Sequence, residues 1–357
     1  MHEEANEEAK TYGWDAIELA MGKLYGEQEP KHYGTLISYM LGGPDPLEGI
    51  SAYKAEEPVP HWHFVTFGFS ELYEKESDDA EHSGYGFELT FRLKREENEE
   101  EPPGWALNLL QNMGRYVFNS GNIFRPGDYL DANGPICLGE DTELTALAFV
   151  EDPELPEADT PNGRVQFLQM VGITRCELEA MQIWNTRGLL KTCEEYMPRY
   201  LTDLARDSFM RMPEVADAVQ QGMERDGSST GFLYVDQLGW EPAKKRLFGR
   251  IPASLRIGAK QAEIVGKLLA GRILKEKSLY MTGPDIQVVF EPGEKAGFEE
   301  GEDEVRIRLD KTSAAELSRV LQPKEGAVSL SSFKGLTVQI VKTYIKDQDG
   351  NVVTTIG

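Results

Sequence analysis

Two runs within residues 61–95 constrain the fold of this chain more than any other part of it. The first reads HWHFVTFGFSELYE and the second SGYGFELTFRLKRE, with an acidic loop between them and Gly84 and Gly86 on its far side. Dense β-branched and aromatic residues bounded by turn formers predict two strands joined by a polar connection. Alternation along the second run puts Phe87, Leu89, Phe91 and Leu93 on one face, a core face. The same alternation sends His61 and His63 to one side of the first strand and Trp62 to the other.

The flanking sequence mixes helical and extended patterns. Trp14, Ile17, Met21, Leu24 and Tyr25 recur at helical spacing and predict an amphipathic helix that stops before Pro30. Residues 33–41 read as extended, and the Gly/Pro-rich residues 42–46 as a tight turn. After Pro102 and Pro103 a helix carries Trp105, Leu109, Met113 and Val117 on one face, and a Gly/Asn/Pro-rich loop through Asp128 ends it. Residues 144–150 and 165–173 predict strands. Thr174 with Glu177 three residues on predicts a capping box. Helices are expected over 188–196, 201–210 and 214–224, and the small polar residues 226–231 form a candidate hinge.

Beyond the hinge, strands are expected over 232–235, 279–281, 286–290, 305–309 and 336–345, and helices over 260–274 and 312–321. Residues 240–249 read as a basic connection and 291–303 as an acidic loop. At 357 residues two domains are expected. Strands and helices do not alternate regularly, so both domains are expected to be α+β. The expected division is a first domain over 1–226, a hinge strand and linker over 227–250, and a second domain over 251–357.

Charge narrows the partners. Thirty-seven basic residues against 61 acidic ones give a formal charge of −24. Such a surface repels phosphate backbones and anionic lipid, so neither nucleic acid nor membrane is expected to bind. It favours solubility and, in a binding protein, a basic partner. No apolar run reaches the roughly 18 residues of a membrane span. The N-terminal stretch is acidic, unlike a signal peptide. Three cysteines without close spacing point to a reducing compartment, the cytoplasm.

A search for catalytic chemistry yields little. His61 and His63 share a strand face, but the remaining histidines (His2, His32 and His82) stand at no ligand-like spacing. A zinc site needs three or four protein ligands, so the pair reads as structural. Ser70 lacks the second glycine of a nucleophile elbow. Cys176 and Cys193 fall on apolar-patterned helices, where a buried, inert thiol is expected. Gly84 and Gly86 precede a strand and offer no helix N-terminus to a phosphate. No cofactor is implied. The run of five glutamates and one asparagine over 96–101 reads as a solvated connection or, alternatively, a docking patch for a basic partner.

The wording of several segments is similar to the Suppressor of fused family. LGGPDPL at 41–47, HWH at 61–63, GFELTFRLKRE at 86–96 and RYVF at 115–118 carry the resemblance most strongly. Glu151-Asp152-Pro153, FLQMVG at 167–172, Trp184-Asn185 and GKLLAGR at 266–272 continue it over nearly the whole chain. The animal proteins have a long Ser-rich insertion in their second half, and only a short connection stands here. The compact form looks like the bacterial members, which are linked to toxin–immunity loci.

The resemblance implies two mixed domains of the Suppressor of fused type joined by a short hinge. It also implies non-enzymatic capture of an extended peptide in the cleft between them, by β-strand addition. Carried over by position, the cleft would use Tyr116, Asp128 and Glu151, with Phe232 and Tyr234 as the other wall. Tyr116 could equally be a core tyrosine, and Asp128 a turn former. Two function classes therefore stand. One is a binding protein, with a toxin domain as the partner or, alternatively, a transcription factor to be sequestered. The other is an unrecognised metal-dependent hydrolase.

Overall fold

The structure is a computed structural model that describes residues 10–37, 39–245, 250–346 and 350–357. The chain falls into two compact units. The first is Met1–Leu178 with Leu190–Arg211, and the second is Glu179–Leu189 with Met212–Gly357.

The first unit is built on one large sheet. Its strands are β1 (Lys31–Gly34), β2 (Gly49–Ala55), β3 (His61–Phe67), β4 (His82–Lys94), β5 (Tyr129–Asp131), β6 (Leu144–Glu151), β7 (Ala158–Thr160) and β8 (Gly163–Thr174). They lie in the order β1-β2-β3-β4-β8-β6-β5, with β7 paired to β8. The two runs expected as strands are β3 and β4, paired antiparallel with Phe64 opposite Phe91. β4 then pairs with β8 in parallel, which makes it an interior strand buried on both sides.

Each face of the sheet has its own helix. On one face α2 (Gly104–Ser120) buries Leu110, Met113 and Val117 against Phe64, Phe91 and Phe149. On the other, α1 (Tyr12–Tyr25) lays Ile17 and Met21 onto Tyr53, Val65, Phe67 and Phe167. Next come α3 (Arg175–Ile183) and α4 (Thr186–Thr192), where the chain passes from one unit to the other and back. The capping box expected at the start of α3 is present: Thr174 N donates to Glu177 Oε2 (2.9 Å) and Glu177 N to Thr174 Oγ1 (3.3 Å).

The second unit begins with α5 (Pro213–Asp226) and β9 (Phe232–Tyr234). There follow β10 (Leu238–Glu241), β11 (Lys244–Lys245), β12 (Arg250–Ile251), β13 (Ala253–Gly258), α6 (Ala259–Ile273), β14 (Leu279–Thr282), β15 (Gln287–Pro292), β16 (Gly297–Glu300) and β17 (Glu304–Leu309). The chain continues through α7 (Lys311–Val320), β18 (Gly326–Ser329), β19 (Leu336–Val341), β20 (Thr343–Lys346) and β21 (Val352–Ile356). Two sheets, β16-β17-β15-β14-β9 and β10-β13-β19-β18, share one core with α6 and α7. Leu268, Leu269 and Leu317 meet Phe290 and Ile307 from the first sheet and Ile257 and Val338 from the second.

Several segments differ from the sequence expectation. Residues 201–210 form no α-helix: Thr202 N donates to Arg92 O and Lys94 N to Thr202 O, a single parallel bridge beside the end of β4, and a 3-10 turn takes Phe209–Arg211. Of the segment's apolar residues Leu201 is buried, while Leu204, Phe209 and Met210 are half-buried. The strand expected over 33–41 ends at Gly34, and a short 3-10 turn takes Tyr39–Leu41. The acidic loop at 291–303 contains β16, paired antiparallel to β17. The basic connection at 240–249 is partly strand; its residues 246–249 lie outside the described residues.

The expected hinge at 226–231 is held in place. Ser228 is fully buried; its N–H donates to Gly271 O and its hydroxyl to Gln182 O. Arg272 binds Ser228 O as well. All of these residues belong to the second unit, whose main segment starts at Met212. Cys176, expected to be buried, is exposed, whereas Cys193 is buried and burial pushes its thiol up to about 12. Among the described residues, no helix is long and apolar enough to cross a membrane.

Candidate partner-binding site

Three of the five residues singled out in the sequence meet at one margin of the first unit's sheet. β5 is its last strand and pairs with β6, Tyr129 standing opposite Ala148. Just before it, Phe149 N donates to Asp128 O and Gly127 N to Phe149 O. Glu151 ends the same strand β6, two residues beyond Phe149, and is exposed. Tyr116 comes from the last turns of α2 and is half-buried. Its ring stacks on Phe124 at 5.5 Å, and Phe124 stacks on Phe149 at 4.0 Å.

Asp128 has a structural task in this arrangement. Its Oδ2 accepts from Arg125 N at 2.8 Å, while its own N–H donates to Arg125 O. Gly127, at φ +102, lets the backbone turn between them. The carboxylate is exposed nonetheless, so it can both brace the turn and face solvent. Asn122 Nδ2 donates to the Tyr116 hydroxyl, which fixes the polar end of that ring.

Phe232 and Tyr234 belong to the second unit, on β9. Among the described residues this strand pairs only with β14, in parallel, and ends its sheet. Alternation puts both rings on one face, and each is 56% exposed, while Leu233 between them packs on the core. An edge strand with an open backbone side and two exposed aromatic rings offers hydrogen bonds and contact area together.

The histidines of β3 turn out to be part of a buried polar cluster that composition and spacing did not reveal. Tyr25 Oη stands 2.8 Å from His63 Nδ1, and Asp152 Oδ2 is 3.4 Å from His63 Nε2. His61 Nδ1 lies 2.8 Å from Val59 O. Burial, reinforced by Arg92, lowers His63 to about 4, and burial likewise lowers His61 to about 4. Both rings are therefore neutral near pH 7.

Arg92, fully buried, forms a bidentate pair with Asp152 (2.7 and 3.0 Å) and also binds Gln169 and Glu154. Burial opposes ionisation of Asp152, yet His63 and Arg92 hold its carboxyl well below the usual range. The signal for this cluster was the charged residue on the second face of β4. A Glu88-Thr90-Arg92 alternation reads as solvent-facing until α1 covers that face of the sheet, its Ile17 and Met21 packing with Val65 and Phe67. No group of three or more His, Cys, Asp or Glu stands ready to hold a metal among the described residues.

The acidic run at 96–101 also has partners. Glu99 accepts from Trp62 Nε1 at 3.0 Å, Lys54 pairs with Glu100, and Lys31 with Glu101. It ties the loop after β4 to β1, β2 and β3.

Comparison with known proteins fits this architecture. The family model described as "Suppressor of fused protein (SUFU)" matches residues 43–207. The human Suppressor of fused homolog is 38% identical over 237 residues, covering 61% of this chain and 48% of the human protein; the mouse homolog matches equally. The chain thus spans about half the length of the curated relatives it matches. The crystal structure of Drosophila Suppressor of Fused superposes with a TM-score of 0.77 over 93% of this chain and 97% of that one, at 23% identity. A chain of the Sufu–Fu complex crystal structure matches at 35% identity and a TM-score of 0.55, covering 59% of this chain and 98% of that one. With that fold and those matched residues, the chain belongs to the Suppressor of fused family.

Proposed function

We propose that this chain is a non-enzymatic protein-binding module that takes up an extended segment of a partner protein. The observation that carries this reading is β9, an edge strand with one paired side and two half-exposed aromatic rings. Strand addition there supplies main-chain hydrogen bonds, and the rings supply side-chain selectivity. The Sufu–Fu complex, in which a relative is bound to another protein, supports the class of activity. Asp128 and Glu151, on the first unit, would receive polar or basic groups of a partner, in keeping with the −24 charge.

The partner inferred is a toxin domain neutralised by occlusion in the cytoplasm, and a sequestered transcription factor is the alternative. The test is capture from a lysate of the native host by the intact chain, set beside Phe232→Asp and Tyr234→Asp. The expected result is a protein retained by the native chain and lost from both variants at unchanged thermal stability. Equal capture by all three would overturn strand addition at β9. Identification of the retained protein then separates toxin from regulator.

A further inference from the structure

The first unit contains a cavity of about 420 Å³ that none of the residues discussed above explains. Its volume falls within the ~300–1,000 Å³ of ordinary ligand sites. Phe118, from the end of α2, is its aromatic centre. Tyr39 meets that ring edge-on at 5.6 Å, Tyr85 at 5.0 Å, and Phe69 stands at 6.4 Å. Tyr73 completes the wall, and its hydroxyl donates to Glu48 Oε2 at 3.1 Å.

The polar lining has one sign. Glu48, Glu71, Glu74 and Glu76 line the cavity, and among the described residues no lysine, arginine or histidine does. Glu71 is used internally, by Lys75 and by the N–H groups of Glu76 and Ser77. Glu74 meets exposed Lys10 at 3.5 Å. Among the described residues, Glu48 and Glu76 have no ion-pair partner.

We propose that this cavity binds an arginine side chain on a basic segment of a partner protein. Aromatic faces attract a guanidinium plane and cover its aliphatic stem, and carboxylates beside them neutralise the charge. A wholly apolar guest would leave the glutamates facing it without a counter-charge, and an anion would be repelled. The segment that carries Tyr39 also carries Leu36, Ile37 and Leu41, all exposed. These give residues flanking the arginine an apolar surface, which favours a polypeptide over a free small cation.

The site uses none of Asp128, Glu151, Phe232 or Tyr234, so it stands or falls independently of strand addition at β9. The test is a titration of the full chain with the peptide acetyl-Gly-Arg-Gly-amide, followed by amide NMR shifts. Saturable shifts are expected at Gly68, Tyr73, Gly84 and Tyr85. The citrulline peptide, of the same shape without the charge, should bind about tenfold more weakly. Glu48→Gln and Tyr85→Leu should each weaken the arginine peptide without lowering the thermal midpoint. If either variant unfolds, Glu76→Gln takes its place. Absence of saturable shifts, equal binding of the citrulline peptide, or shifts confined to other residues would overturn the proposal.

Discussion

Glu88 gives the sharpest test of the buried polar chemistry. It is fully buried on β4, and burial raises its carboxyl from 4.5 to about 7. Its Oε1 accepts from Gly68 N (3.0 Å), Ser70 N (2.9 Å) and Ser70 Oγ (2.6 Å). Its Oε2 lies 2.6 Å from Thr66 Oγ1, which also accepts from Leu89 N. In the protonated state Oε2 donates to that hydroxyl, which in turn faces Leu89 O at 3.3 Å. Glutamine reproduces this pattern, with its NH₂ group in place of the protonated oxygen.

Between pH 4.5 and 7 the folded chain holds a proton on Glu88 that the unfolded chain has released. The contribution of Glu88 to stability is thus complete below pH 4.5 and is lost as pH rises through 7. Each pH unit is worth about 1.4 kcal/mol, so the loss across this window is about 3 kcal/mol. Glu88→Gln should match the native chain near pH 4.5 and exceed it by that amount at pH 8. The assay is urea unfolding across this range, followed by tryptophan fluorescence. The neutral histidines His61 and His63 titrate in both proteins and cancel in the difference. A stability difference that stays flat with pH, or a variant weaker than the native chain at pH 8, would refute the reasoning.

Two further substitutions probe packing and charge. Arg92→Met strands the Asp152 carboxylate without its bidentate partner. Breaking one side of a buried pair costs about 3–5 kcal/mol, which urea unfolding would register; a loss below about 1 kcal/mol would contradict the buried-pair account. Gly222→Ala places a methyl group 2.2 Å from Trp184 Cε2. Overpacking of this kind costs about 1–3 kcal/mol, so the thermal midpoint should fall and Trp184 emission should shift; an unchanged midpoint would show that the indole can move.

Residues 61–95 were legible because strand physics is local: alternation put Phe87, Leu89, Phe91 and Leu93 on the core face, where they lie. The capping box at Thr174 was legible for the same reason. The segment 201–210 misled because a run of turns and an amphipathic helix can both carry scattered apolar residues. Only the long-range bond from Thr202 to Arg92 decides between them. The small polar residues at 226–231 misled differently. Ser228 is short enough to bury its hydroxyl against Gln182 O, so the composition of a loose linker also suits a tightly packed corner.

The same distinction separates the candidate site from its surroundings. β9 could be found from sequence because its aromatic alternation is local. The Arg92–Asp152–His63 cluster could not, because Asp152 lies 60 residues from Arg92 in number (152 − 92), and joins the His63–Arg92 pair of β3 and β4 only through the long-range pairing of β4, β8 and β6. The two kinds of polar group also differ in role. Buried charges such as Asp152 and Arg92 pair with one another inside the first unit. Exposed groups such as Asp128, Phe232 and Tyr234 sit at sheet margins whose backbone geometry is already set by internal bonds. Under the proposed strand addition at β9, a margin held that firmly would keep the ordering cost of binding on the partner's side.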